Sequence, residues 1–138
     1  MSHVRTELRA SVTAALEAAI PDVTWQKAHW QVAGSGQLPL GGVGTPRTRN
    51  QMIDLSTSER AVDLLVVLKR EGGADLEDDL DAESVVIERT VLPVLETVSY
   101  DFDLVETQFD GDASGEISVG TLSMLFRAVL QTETGNPD

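Results

Sequence analysis

The residues best equipped for chemistry sit near the C-terminal end. Asp110-x-Asp112-x-Ser114-Gly115-Glu116-Ile117 sets oxygen-bearing side chains at alternate positions around a glycine. This matches the first eight positions of a calcium-binding EF-hand loop. There, side-chain oxygens come from positions 1, 3 and 5, a backbone carbonyl from 7, and glycine at 6 allows the sharp turn. On that reading Asp110, Asp112, Ser114 and Glu116 would hold the metal. Three features oppose it. Position 12 is Thr121, where a bidentate carboxylate is expected, and no second loop of this kind occurs in the chain. The incoming segment also alternates like a strand through Leu104. The competing reading is an acidic β-hairpin turn whose glycines serve backbone geometry. That reading is preferred, and neither a metal nor a cofactor is expected.

Other chemistry is sparsely signalled. The chain has no cysteine, which excludes disulfides, thiolate zinc sites and a thiol nucleophile. His3 and His29 are the only histidines and lie far apart in sequence, so they do not suggest a zinc site. No Gly-x-Ser-x-Gly elbow is present. Gly41, Gly42 and Gly44 lack the Gly-Lys-Ser/Thr ending of a phosphate loop. Seven acids lie between Glu71 and Glu83, as is commonplace at a helix start. Aromatic content of 4% is too low for base-stacking platforms. Nothing argues for catalysis, and the protein is not expected to be an enzyme.

Charge carries more information. The net charge is −13, divided into +2 over residues 1–70 and −15 over residues 71–138. A negative field repels phosphate backbones and anionic lipid, so bulk charge predicts neither nucleic-acid nor membrane binding. A basic half of one copy can instead meet an acidic half of another, through the heterologous contacts that close a ring. With 138 residues, 41% of them hydrophobic, the chain reads as one domain over 1–138 with a single core. No apolar run nears the roughly 20 residues of a membrane span. The opening residues lead into an amphipathic pattern, not a signal core, so a soluble domain made without export is expected.

The elements that would position these residues follow from periodicity. Leu8, Val12, Leu16 and Ile20 predict a helix over 5–20, stopped by Pro21. Residues 23–32 read as short and β-like, 33–36 as a loop, and Leu38-Pro39-Leu40 as the start of another extended piece. Residues 45–58 are polar, with Arg47 and Arg49 projecting. Apolar residues on both faces of 62–69 predict a central, covered strand. A second helix is predicted over 75–97, capped by Asp75, with Val85, Val86, Leu92 and Leu95 on its apolar face and Pro93 bending or shortening it. Val98, Tyr100, Phe102 and Leu104 alternate as a half-buried strand, and a parity shift to Val105 and Phe109 predicts a bulge. From Ile117 to Leu130 strand and helix templates fit equally well.

Several stations along this chain carry a family resemblance. They are His3-Val4-Arg5-Thr6-Glu7-Leu8-Arg9-Ala10 running to Ala15-Leu16-Glu17, Leu38-Pro39, Leu80-Asp81-Ala82, Val91-Leu92-Pro93-Val94, Tyr100-Asp101-Phe102, the acidic turn at 110–115 and the run from Leu122 to Val129. In their shared order they resemble the tail terminator proteins of lambda-like long-tailed phages, whose relatives occur in phage-derived gene transfer agents. The resemblance implies an α+β fold, a mixed and mainly antiparallel sheet packed by two helices, with the final segment a strand. It also implies a homo-hexameric ring in the virion that caps the tail tube and stops its polymerisation. The partners would be further copies of the chain, the major tail tube protein and head-tail connector proteins. It supplies no catalytic residues. The Gly-rich stretch after Pro39 and the 45–58 segment match no motif of the family. Within such a ring, Arg47 and Arg49 are expected to meet Asp78 and Asp79 of a neighbour. Another head-tail connector or tail-completion protein of related fold, and an EF-hand-like calcium module, are the alternative functions.

Overall fold

A computed structural model describes residues 4–27, 39–73, 75–114 and 117–133. His3, His29, Trp30, Leu38, the 33–36 loop and Glu116 lie outside them. The chain runs α1 (Val4–Ala19), β1 (Thr24–Lys27), β2 (Leu40–Met52), β3 (Thr57–Gly72), α2 (Leu76–Val98), β4 (Asp101–Ser114) and β5 (Ile117–Glu133). The strands form one sheet in the order β1-β2-β3-β5-β4. Among the described strands only β1 and β2 pair in parallel, and every other pair of neighbours is antiparallel. This is the α+β class expected from the sequence, a mixed and mainly antiparallel sheet with two helices.

Among the described residues the helices cover one face of the sheet. Val62, Leu64, Val66 and Leu68 of β3 are buried, and the residues between them are half-buried. On β5 the buried set is Leu122, Met124, Phe126, Ala128 and Leu130, so the strand template holds there and the helix template does not. These side chains form one cluster with Leu8, Val12 and Leu16 of α1 and with Leu76, Leu80, Ile87, Val91 and Leu95 of α2. Among the described elements, both helices therefore lie on the same side. A strand face and a helix stripe each need one apolar partner, and here each supplies the other's.

Several local expectations are corrected. Asp75 occupies the N-cap position of α2, but its side chain makes no capping hydrogen bond; its backbone carbonyl accepts from the Asp79 N–H at 2.9 Å. The first turn carries Glu77, Asp78 and Asp79 instead, acids that favour the positive end of the helix dipole. Val85 and Val86 are exposed, because the buried stripe runs through Leu80, Ile87, Val91 and Leu95. Pro93 does not shorten the helix, which continues to Val98, and its ring lies on the exposed side. The polar segment 45–58 is mostly the far half of a long β2–β3 hairpin. Its turn is closed by Asp54, whose carboxylate accepts from the backbone N–H groups of Ser56 (2.8 Å) and Thr57 (2.7 Å). The Ser56 backbone bond comes first among the contacts holding the Asp54 carboxyl below its ordinary range. The bulge is present: pairing of β4 with β5 slips between Leu104 and Glu106, leaving Val105 exposed and returning Phe109 to the covered side.

Gly41 shows what the glycine-rich stretch is for. It pairs with Trp25 of β1, and a Cβ built on it would lie 2.5 Å from two atoms of the indole ring. The ring thus occupies the volume a side chain would need, while its N–H donates to the Ile20 carbonyl at 3.2 Å. Gly41→Ala is expected to destabilise the protein by about 1–3 kcal/mol through overpacking. Gly73→Ala, where a Cβ meets nothing within 4 Å, should fall within about 0.5 kcal/mol of the parent. Urea denaturation of the two variants side by side checks both.

Candidate functional site

The sheet face opposite α1 and α2, helix-free among the described residues, is organised by register. Arg47 of β2 pairs with Asp63 of β3, Asp63 with Arg127 of β5, and Arg127 with Asp103 of β4. Because register partners share a face, this row crosses four strands with alternating charge. Arg127 Nε lies 3.6 Å from Asp63 Oδ1. The next row, toward the β2–β3 turn, reads Arg49, Ala61, Val129 and Asp101. On the other side Leu65 pairs with Leu125, and Leu125 with Glu106. The face therefore carries arginine on the β2 side and carboxylates on the β4 side, with the Asp63–Arg127 pair set between the apolar pairs Ala61–Val129 and Leu65–Leu125 at its centre.

Among the described residues both edges of that face are open over part or all of their length. The four residues of β1 cover β2 only from Leu40 to Val43. Beyond Val43 the outer side of β2 has no strand partner among the described residues, and the outer side of β4 has none along its length. Arg47, Arg49, Asp101 and Asp103 are all exposed, and neither arginine makes an ion pair with a described residue.

The β2–β3 hairpin ends in an apolar tip. Leu55 is 94% exposed, Met52 59% and Ile53 49%. Side-chain bonds stiffen the stem. Arg60 donates from Nη1 to Asn50 Oδ1 (2.7 Å) and from Nε to Thr132 Oγ1 (2.8 Å), and Tyr100 donates its hydroxyl proton to Glu59 Oε2 at 2.5 Å. That bond to a carboxylate, which is lost when the phenol ionises, pushes the Tyr100 pKa up.

The opposite end of the sheet carries a different cluster. Arg70 Nη2 donates to Asp22 Oδ2 (3.0 Å) and to Glu83 Oε2 (3.2 Å), tying the α1–β1 corner, β3 and α2 together. Arg70 Nε lies 2.6 Å from Glu83 Oε1, yet its N–H is not directed at that oxygen and finds no acceptor. Burial is the largest influence on the Glu83 carboxyl and raises its pKa despite the guanidinium beside it. A shallow depression of about 430 Å³ lies over this cluster, edged by Pro21, Asp79, Ala82 and Val86. With its cation already neutralised by two acids, the cluster reads as a strap between elements.

The residues singled out by sequence separate into two places. Arg47 and Arg49 stand two apart on β2, on the helix-free face. Asp78 and Asp79 are exposed in the first turn of α2, on the covered side. The sheet end beneath that turn is marked by Gly120, where a Cβ would touch Leu80 and Leu76. Gly120 pairs with Arg70, seven residues along β3 from the partner of Arg47, or about 23 Å. One chain does not bring the two pairs together. Asp110 and Asp112 lie within β4, and Asp110 pairs with Thr121 across the hairpin. The first and twelfth positions of the calcium-loop pattern are thus neighbours in a ladder. Strands flank the pattern, not the two helices an EF-hand requires. Ser114 pairs with Ile117. Among the described residues no group of three or more metal-ligating side chains gathers.

Asp63, Arg127, Asp101 and Asp103 were not singled out by sequence. Their place in a charged row depends on cross-strand register, which no local pattern reveals. No protein-family model and no curated protein matches this sequence.

The Glu83 carboxyl, raised by burial, holds its proton more tightly in the folded chain than in the unfolded one. Its contribution to stability therefore falls as pH rises from its ordinary value of 4.5 through the raised one. Glu83→Gln should remove that fall. Thermal melts at closely spaced pH values will then show the parent losing ground to the variant as pH increases across this interval.

Proposed function

We propose that this chain is a non-enzymatic virion assembly protein of the tail-terminator kind. Copies close a ring on the end of the tail tube, stop its polymerisation and present a surface for head-tail joining. The observation that supports the reading is the construction of the helix-free face. Its charged rows end in arginine at one open edge and aspartate at the other. Such a surface is suited to repeated, oriented contact between copies. The mixed, mainly antiparallel sheet with two helices is the α+β class that the terminator resemblance implies. The exposed tip at Met52, Ile53 and Leu55 gives each copy an apolar contact point. Tube protein on one side and connector on the other are its expected partners. No helix among the described residues is long and apolar enough to cross a membrane.

Electron microscopy of particles produced without this protein tests the reading. Tails of uncontrolled length are expected. Tails of normal length lacking heads would instead favour a connector or completion role for the same fold. Calcium titration by calorimetry checks the remaining alternative: no saturable heat is expected at low micromolar protein, and a stoichiometric one would redirect attention to the Asp110–Glu116 segment.

A further inference from the structure

We infer that the β2 edge beyond Val43, which has no strand partner among the described residues, pairs antiparallel with the outer edge of β4 on a second copy of this chain. In that register Arg47 stands opposite Asp103 and Arg49 opposite Asp101. The inference deepens the ring reading and rests on its premise that copies associate.

Strand direction comes first. β2 is antiparallel to β3, β3 to β5, and β5 to β4, so β2 and β4 run in opposite directions within one chain. Two copies set edge to edge in the same orientation therefore meet as antiparallel strands, the geometry for adding a strand to a sheet. Register comes second. The rows Arg47-Asp63-Arg127-Asp103 and Arg49-Ala61-Val129-Asp101 lie two residues apart on both edge strands. One alignment thus matches both charge pairs on the same face, and the alternation of sign continues unbroken from copy to copy. The same alignment sets Asn50 opposite Tyr100 and brings exposed Met52 near exposed Val98. Extent comes third. β1 blocks β2 before Gly44, a register slip lies between Gly44 and Arg47, and the Val105 bulge interrupts β4. The stretches without a strand partner among the described residues coincide at about four residues on each strand.

Charge also excludes the wrong pairings. Two β2 edges would set arginine against arginine, and two β4 edges aspartate against aspartate. Charged side chains on edge strands ordinarily prevent pairing; here they leave one combination open, and it is head-to-tail.

The absence of cysteine from the chain allows a direct test. Within one copy Asn50 and Tyr100 lie three strand spacings apart, about 14 Å, beyond the reach of a disulfide. In the double variant Asn50→Cys/Tyr100→Cys, mild oxidation should give a ladder of covalent oligomers on a non-reducing gel. Adding Arg47→Glu and Arg49→Glu should cut that ladder by about tenfold or more. Mixing this protein with the cysteine variant that carries Asp101→Lys and Asp103→Lys should restore it, since each swapped edge then finds an opposite. Cross-linking of Asn50→Cys/Asp78→Cys with none at 50/100 would place the hairpin on α2 and overturn the edge contact. Oligomers by light scattering without a 50/100 disulfide would overturn it while leaving the ring reading intact. Monomers without the disulfide up to the solubility limit would overturn it as well. The ring reading itself stands or falls separately, on tail length in the particles.

Discussion

The antiparallel ladder between β3 and β5 is the constraint from which the rest of the molecule follows. These strands pair from Thr57 with Glu133 to Gly72 with Ser118, without a break in register. A slip of one residue would carry Leu64, Val66, Leu122 and Phe126 from the covered face to the opposite one. Burial of those side chains therefore locks the register. The locked register in turn aligns Asp63 with Arg127 and sets where β2 and β4 attach their own charges. The apolar face holds the ladder in place, and the polar face inherits its order. Stability and surface pattern share one cause.

Much of this architecture was legible in the residues. The α1 stripe, the central strand around Val62–Leu68 and the bulge after Leu104 follow from spacing, although that strand, apolar on both faces, is fully buried on one and only half-buried on the other. Other parts were not legible, for identifiable reasons. Val85 and Val86 look like part of a helix stripe until Ile87 and Val91 are seen to point inward. The stretch from Ile117 to Leu130 satisfies both periods, and only pairing with two neighbours makes it a strand. Residues 45–52 are polar where β2, among the described residues, is flanked on one side only, and most of them are exposed, so burial writes no alternation into the stretch. Gly41 gave no sign that it receives Trp25, because such a fit joins strands distant in sequence.

The same distinction holds for the candidate surface. Arg47 and Arg49 stand out in a run with few other charges, and composition alone drew attention to them. Asp101 and Asp103 were visible only as the polar members of an alternating strand, in a half of the chain crowded with acids. Their relation to the arginines is a property of the sheet. Conversely, the Asp110–Glu116 pattern is conspicuous as a string of letters, yet a string does not specify whether helices or strands lead into it.

The β2–β3 hairpin has a further consequence. At about 3.3 Å per residue β3 extends roughly 50 Å, whereas α1 at 1.5 Å per residue reaches about 24 Å and α2 about 34 Å. Among the described elements neither helix is long enough to back β3 over its whole length, and the hairpin ends in the exposed tip at Met52, Ile53 and Leu55. The amides of that tip will exchange with solvent far sooner than those at the middle of β3, through openings that leave the core closed. Such an arm can flex and settle against a curved neighbour at little cost to the body that carries it.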